Sequence, residues 1–137
     1  MIRSIVIQDK EIGEGHKPFV VAELSANHNG SIERAFETIK SAKESGADAI
    51  KLQTYTASTI TIDHDSEEFF VKDGIWKNQR LFDLYSEAST PWDWHENLFE
   101  YAKKIGISIF SSPFDFTAVD FLESLSTPAY KIASPEI

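Results

Sequence analysis

Short apolar runs that end in polar residues recur along this chain, and stretches of helical rhythm separate them: "FVVAE", "DAIKLQ", "ISIFSS" and "AYKIAS". A helix between successive strands carries the chain back to its starting end, so this order predicts parallel β/α units. After the loop "LSANHNG", Ser31 is placed to cap a helix whose apolar residues Ile32, Ala35, Phe36, Ile39 and Ala42 follow helical spacing, with Gly46 placed to stop it. "QRLFDLYSEAS" reads as a short helix. Thr90, Pro91 and Asp93 offer an N-cap, a proline and an acidic first turn for another, whose buried stripe would be Trp94, Leu98, Tyr101, Ala102 and Ile105 before Gly106. Thr117 to Leu125 gives a last short helix, closed near Pro128. Thr54 to about Asn78 stands apart, irregular and longer than an ordinary connection.

Four such units within 137 residues, with no helix after the fourth strand, fit the first half of a (β/α)8 TIM barrel, which takes about 250 residues when complete. Residues 1–17 read as a small N-terminal β-hairpin and residues 18–137 as the N-terminal half of the barrel, so the chain is expected to be part of a larger protein. An open, doubly wound four-unit sheet is the alternative, although it would expose strand edges that a closed barrel pairs.

Thirteen Lys and Arg against 22 Asp and Glu give a net charge of −9, a field that repels nucleic acid. A compact anion could still be held where lysines converge. No apolar run approaches the ~18 residues of a membrane span, and "MIRSIVIQDKEIGEG" lacks the apolar core of a secretory signal, so no membrane partner and a cytoplasmic location are expected. The absence of cysteine removes disulfides, thiolate metal sites and cysteine nucleophiles. "DHDSEE", Asp63 to Glu68, lacks the spacing and turn glycine of a calcium loop and reads as a solvated loop.

Alternation along a strand sends Lys51 and Gln53 to the face opposite Ile50 and Leu52, groups Val21 with Glu23, and separates Lys131 from Tyr130 and Ile132. Each of these polar residues sits late in its strand, where β/α enzymes place their chemistry. A strand lysine paired with a nearby carboxylate is the plain structural explanation. Two lysines on different strands, with Ser112 and Ser134 nearby, suit a phosphate or carboxylate held by charge-assisted hydrogen bonds. Ser111 and Glu136 complete the candidates at the strand ends.

"AELSANHNG", "GADAIKLQTYT", "FSSPFD" and "PAYKIASPEI" together resemble the N-terminal half of the sialic acid synthase family, from Phe19 onward. The middle stretch, "GIWKNQRLFDLYSEASTPWDWHENLFEYAKK", is most similar to the pseudaminic acid synthase branch. The resemblance implies an enzyme that condenses phosphoenolpyruvate with an acetamido sugar in its open aldehyde form, giving a nonulosonic acid and phosphate. For the pseudaminic branch the acceptor is a 2,4-diacetamido-2,4,6-trideoxy hexose. By motif, Lys51, Ser112, Lys131 and Ser134 would bind phosphoenolpyruvate, and Glu23 and Glu136 would be the acid/base carboxylates. Gln53 would hold the sugar, with Asn27 and His28 as further sugar candidates. Two departures from the family pattern are Ser111-Ser112-Pro113, where relatives often carry threonine, and Pro135, where they often carry glycine. The first keeps the hydroxyl; the second fixes φ before Glu136.

The family likeness also implies a divalent metal, manganese or magnesium, whose histidine ligands are expected beyond Ile137, so His16, His28, His64 and His95 are not assigned to it. It implies a homodimer for the full-length protein. Trp76, Trp92 and Trp94 could line a sugar cleft or pack the core, and Asn27 and Asn29 could contact ligand or shape a turn around Gly30. Competing functions are an N-acetylneuraminate or legionaminate synthase, a class I aldolase using Lys51 as a Schiff base, or an inactive barrel fragment.

Overall fold

A computed structural model describes residues 3–134. An antiparallel hairpin opens the fold, β1 (Ser4–Ile7) against β2 (Lys10–Gly13), with Ser4 opposite Gly13 and Ile7 opposite Lys10. Both arms lie within residues 1–17, and the chain reverses at Gln8, where a left-handed φ of 55° allows a two-residue connection. A Cβ on Gly13 would meet the Arg3 carbonyl oxygen at 2.2 Å, so glycine is required where the arms converge.

The main sheet is parallel, in the order β3 (Val21–Glu23), β4 (Ala49–Thr54), β5 (Ser108–Pro113). β3 is shorter than "FVVAE" suggested. The hairpin is tied to the amino ends of the other two strands: Lys10 donates to Asp48 at 2.5 Å and Ser108 to Gln8 at 2.5 Å. Polar residues at the carboxyl ends therefore face away from the hairpin.

Helix α1 (Ile32–Glu44) joins β3 to β4, and the Ser31 hydroxyl caps it by accepting from the Arg34 N–H at 3.2 Å. The excursion after β4 contains α2 (Ala57–Ile60), a 3-10 turn at Glu67–Phe69 and an antiparallel bridge between Phe70 and Arg80, and leads into α3 (Leu81–Ala88). Helix α4 (Trp92–Ile105) ends at Gly106, whose φ of 74° is left-handed. It begins one residue later than expected. Pro91 keeps an extended ψ of 135° and is itself the cap, while the Thr90 hydroxyl is buried without a hydrogen-bond partner among the described residues. Because Pro91 is itself extended, the first helical residue is Trp92, and Thr90 lies one residue too early to cap.

Helix α5 (Phe116–Ser124) is capped by Asp115, whose carboxylate accepts from the N–H groups of Thr117 at 3.0 Å and Ala118 at 3.2 Å. Asp115→Ala is expected to destabilise the chain by about 1 kcal/mol, read as a lower midpoint in urea with an unchanged slope.

The fourth expected strand is not formed. "AYKIAS" makes one parallel bridge, Ser111 with Tyr130, and the Lys131 N–H donates to the Ser111 carbonyl at 3.0 Å. Tyr130 and Ile132 stay exposed, so little apolar burial holds the segment flat against β5. Three parallel strands and a bridge thus replace the four β/α units expected.

The core lies on one face of the sheet, where Ile50, Leu52 and Ile109 pack against Ala35 and Ile39 of α1 and Leu98 and Ala102 of α4. Helix α5 joins the same layer through Phe121, which stacks on Trp92 at 4.8 Å between ring centroids. A doubly wound sheet would carry helices on both faces, so this one-sided layer argues against that alternative. Among the described residues no helix is long and apolar enough to cross a membrane.

Candidate functional site

Because parallel neighbours in register point to the same side, the uncovered face can be read directly from the pairing. Glu23 pairs with Lys51, Lys51 with Phe110 and Gln53 with Ser112. Lys51 and Glu23 form an ion pair at 2.7 Å, with the lysine side chain 13% exposed and the glutamate 51%. The lysine is thus sheltered while its partner reaches water. One strand position further on, Gln53 Oε1 accepts from the Ser25 hydroxyl at 2.9 Å, which orients the amide so that its N–H groups remain to be donated. Ser25 has a left-handed φ of 48°, a strained backbone for a serine that directs its hydroxyl to Gln53. Ser112 is buried beside them.

The structure therefore gathers Glu23, Lys51, Gln53 and Ser112 on one face at the carboxyl ends of the strands. Lys131 follows the Ser111–Tyr130 bridge and lies level with Ser112, two strand spacings from Lys51's strand, or about 10 Å. Its side chain is exposed and its ammonium donates to the Ile132 carbonyl. Ser134 is exposed at the end of the described segment, and Glu136 lies outside the described residues.

His28 is only 1% exposed. Its Nδ1 accepts from the Gly30 N–H at 3.1 Å, and its ring meets Trp94 edge-on at 5.4 Å, so it braces the loop from beneath. Burial pushes its pKa down, a shift partly opposed by the nearby Ala88 carbonyl, although Nε2 makes no hydrogen bond of ordinary geometry among the described residues. Asn27 lines a cavity of about 500 Å³ next to this loop. Asn29 sits at φ 47° and shapes the turn into α1.

Behind the open face runs a buried polar chain that sequence reasoning missed. His95 Nδ1 donates to the Pro91 carbonyl at 3.1 Å, which leaves Nε2 as an acceptor for the Thr54 hydroxyl at 2.9 Å. Thr54 in turn accepts from Ser111 at 2.7 Å. Burial holds the His95 pKa below its ordinary value, so the neutral ring this arrangement needs is favoured. Its signal in the sequence was position: His95 falls three residues before Leu98 and seven before Ala102, on the buried stripe of α4.

Of the tryptophans, Trp92 and Trp94 pack against Phe121 and His28, whereas Trp76 stands 53% exposed beside a cavity of about 800 Å³ that also touches Ser25 and Gln53. Asp63 and Asp65 of the acidic run pair with Arg80, which also grips Asp83 through both terminal oxygens and holds that carboxyl below its usual range. Among the described residues no three histidine, aspartate or glutamate side chains gather as metal ligands. The described residues thus do not by themselves form a divalent-ion site.

Residues 38–137 match the NeuB family. The chain belongs to that family. It is 52% identical over 120 residues to the pseudaminic acid synthase of Campylobacter jejuni serotype O:2, and 51% identical to that of Helicobacter pylori, in each case across 88% of this chain. It spans about 35% of the length of those relatives. Among solved structures it resembles the N-acetylneuraminic acid synthetase of Leptospira borgpetersenii in complex with citrate, with a TM-score of 0.77 and 26% identity, over 97% of this chain and 42% of the other. These likenesses support a mixed α/β fold with a parallel sheet as the family's shared architecture here.

Proposed function

We propose that this chain carries the phosphoenolpyruvate-binding face, and part of the acceptor wall, of a pseudaminic acid synthase built on a (β/α)8 barrel. The observation that carries the proposal is the Lys51–Glu23 pair at the strand ends, set on the same face as Gln53 and Ser112, opposite the face on which α1 and α4 pack. The uncovered side suits a barrel axis, and a sheltered ammonium beside a buried serine suits a small dianion in a protein of net charge −9. The 52% identity to a pseudaminic acid synthase supports that branch over an N-acetylneuraminate or legionaminate synthase.

In this proposal Lys51, with Ser112 and with Lys131 and Ser134 once they turn inward, holds the phosphate and carboxylate of phosphoenolpyruvate. The methylene carbon of the enol attacks the sugar aldehyde, forming the new C–C bond, and the aldehyde oxygen takes up a proton. Water adds to the resulting oxocarbenium carbon and loses its proton to a carboxylate, for which Glu23 and Glu136 are the candidates; loss of phosphate then gives the keto acid. Gln53, oriented by Ser25, donates its amide N–H to the acceptor. The whole protein is proposed to act in the cytoplasm as a homodimer, with its divalent metal bound by residues beyond Ile137.

The Schiff-base alternative needs the Lys51 nitrogen free to attack a carbonyl, whereas here that nitrogen donates to the Glu23 carboxylate at 2.7 Å. Titration calorimetry tests the proposal: phosphoenolpyruvate should bind the 137-residue chain with lactate as a non-binding control, and no heat above that control would overturn it. The same chain mixed with phosphoenolpyruvate and acceptor should release no phosphate by itself, because the metal ligands are placed beyond it.

A further inference from the structure

Burying hydroxyls and an imidazole costs free energy unless each finds a partner, and an apolar set of the same shape packs without that demand. The row His95, Thr54 and Ser111 is nevertheless wholly buried. It ends where the sheet has least else to hold it. β5 bonds to its two neighbours through alternate residues, and the Ser111 carbonyl faces the segment around Tyr130, accepting from the Lys131 N–H at 3.0 Å. The next residue of β5 to face that segment is Pro113, which has no N–H to give. The ladder that would have made a fourth strand therefore stops at Ser111. Among the described residues, Ser111 alone of β5 bridges to this segment. Tyr130 adds a bond from its hydroxyl to Glu123 of α5, which ties down the ring and leaves the Lys131 backbone to Ser111.

Ser111 is thus a joint with two sides. Its hydroxyl donates to Thr54 at 2.7 Å, Thr54 donates to His95 Nε2 at 2.9 Å, and His95 Nδ1 is fixed by the Pro91 carbonyl at 3.1 Å, at the start of α4. Phe121 holds the imidazole edge-on at 5.3 Å. On its other side the Ser111 backbone carries Lys131 and runs directly into Ser112, which pairs with Gln53. Thr54 and Ser111 are not register partners, since Thr54 pairs with Pro113 and Ser111 with Leu52, so their bond crosses β4 and β5 diagonally and resists sliding of one strand end along the other. A hydrogen bond has a preferred length and direction, whereas apolar contact lets neighbours slide, so the row sets a position as well as filling space. We propose that His95 is a positioning residue for anion binding, which through Thr54 and Ser111 sets where Ser112 and Lys131 stand at the strand ends. The inference rests on the proposed function, because it takes Ser112 and Lys131 as ligands of phosphoenolpyruvate.

The test uses the 137-residue chain with His95→Leu, His95→Gln, Ser111→Ala and the double variant His95→Leu/Ser111→Ala, each titrated calorimetrically with phosphoenolpyruvate where circular dichroism shows it folded. His95→Leu and Ser111→Ala should each weaken binding by about tenfold, and the double variant by the same tenfold, because either change alone already breaks the row. Glutamine keeps an oxygen to accept from Thr54 and an N–H to donate to the Pro91 carbonyl, so His95→Gln should stay within about threefold of the parent. Lost stability alone should not imitate this: Ile39→Val, in the core beside α1, should destabilise the chain and leave binding unchanged. Amide exchange reads the row without ligand. In His95→Leu and Ser111→Ala the Lys131 N–H should exchange about tenfold faster relative to the Leu24 N–H, which donates to the Lys51 carbonyl at 3.0 Å outside the row. Should His95→Leu fail to fold, His95→Met carries the same comparison. Binding within about twofold of the parent in either folded single variant, additive losses in the double variant, no rescue by glutamine, or an unchanged exchange ratio would each overturn the positioning role and leave the ionic site standing. Failure of the parent itself to bind phosphoenolpyruvate would instead remove the proposed function, and the anion-site role of the row with it.

Discussion

Lys51→Met should weaken phosphoenolpyruvate binding by about a hundredfold, equivalent to about 2.7 kcal/mol, while leaving the melting temperature almost unchanged. Methionine keeps the length and the apolar contacts of the lysine stem, so the change removes the charge and its three donors and little else. Glu23, left without its partner, is 51% exposed and can be hydrated, which is why the fold should tolerate the loss. Glu23→Gln supplies the contrast. It frees the ammonium from a competing carboxylate, so phosphoenolpyruvate should bind as tightly as to the parent, or more tightly, even though a proposed acid/base group is gone. Calorimetry on the three proteins decides the matter: if Lys51→Met binds within about threefold of the parent, Lys51 is a structural ion-pair lysine and the anion site lies elsewhere.

The face on which Lys51 stands was legible from alternation alone, because the two-residue period of a strand is a local property and Ile50 and Leu52, on the opposite side of β4, are wholly buried. The Lys51–Glu23 contact needed one further step, the parallel pairing of β3 with β4, which the helical stretch between them implies. Less local features escaped. Ser25 and Gln53 meet across 28 positions of sequence and His95 and Thr54 across 41, and neither pair belongs to any periodic pattern that links them. The excursion was recognisable as an anomaly of length, but the bridge between Phe70 and Arg80 within it depends on tertiary pairing. Thr90 and the "AYKIAS" segment show the reverse failure. Both carry the right local signal, and both are overridden, one by the extended ψ of Pro91, which starts the helix a residue later, and the other by the lack of a covering layer over Ile132.

Thr54→Val is expected to be among the most destabilising substitutions of similar volume in this chain, costing about 2–4 kcal/mol. Valine matches threonine in shape, so no cavity opens; the cost comes from His95 Nε2 and the Ser111 hydroxyl, each left buried without its partner. Acid should weaken the parent for a related reason. Folding holds the His95 and His28 pKa values below their ordinary value, with burial as the main cause in each, so the unfolded chain takes up protons first as pH falls. Stability that is complete above about pH 6.5 is therefore lost as the pH drops from there toward the lowered folded values, by at most about 1.4 kcal/mol per pH unit for each histidine. Urea unfolding of parent and variant at pH 8 and pH 5.5 measures both effects. A variant within about 0.5 kcal/mol of the parent at pH 8 would mean that the polar chain contributes no more than apolar packing would. A parent equally stable at both pH values would require some other group to take up, in the folded state, the protons that the buried imidazoles refuse, since the carboxylates paired in the folded chain, such as Asp48 and Asp83, act in the same destabilising direction on acidification.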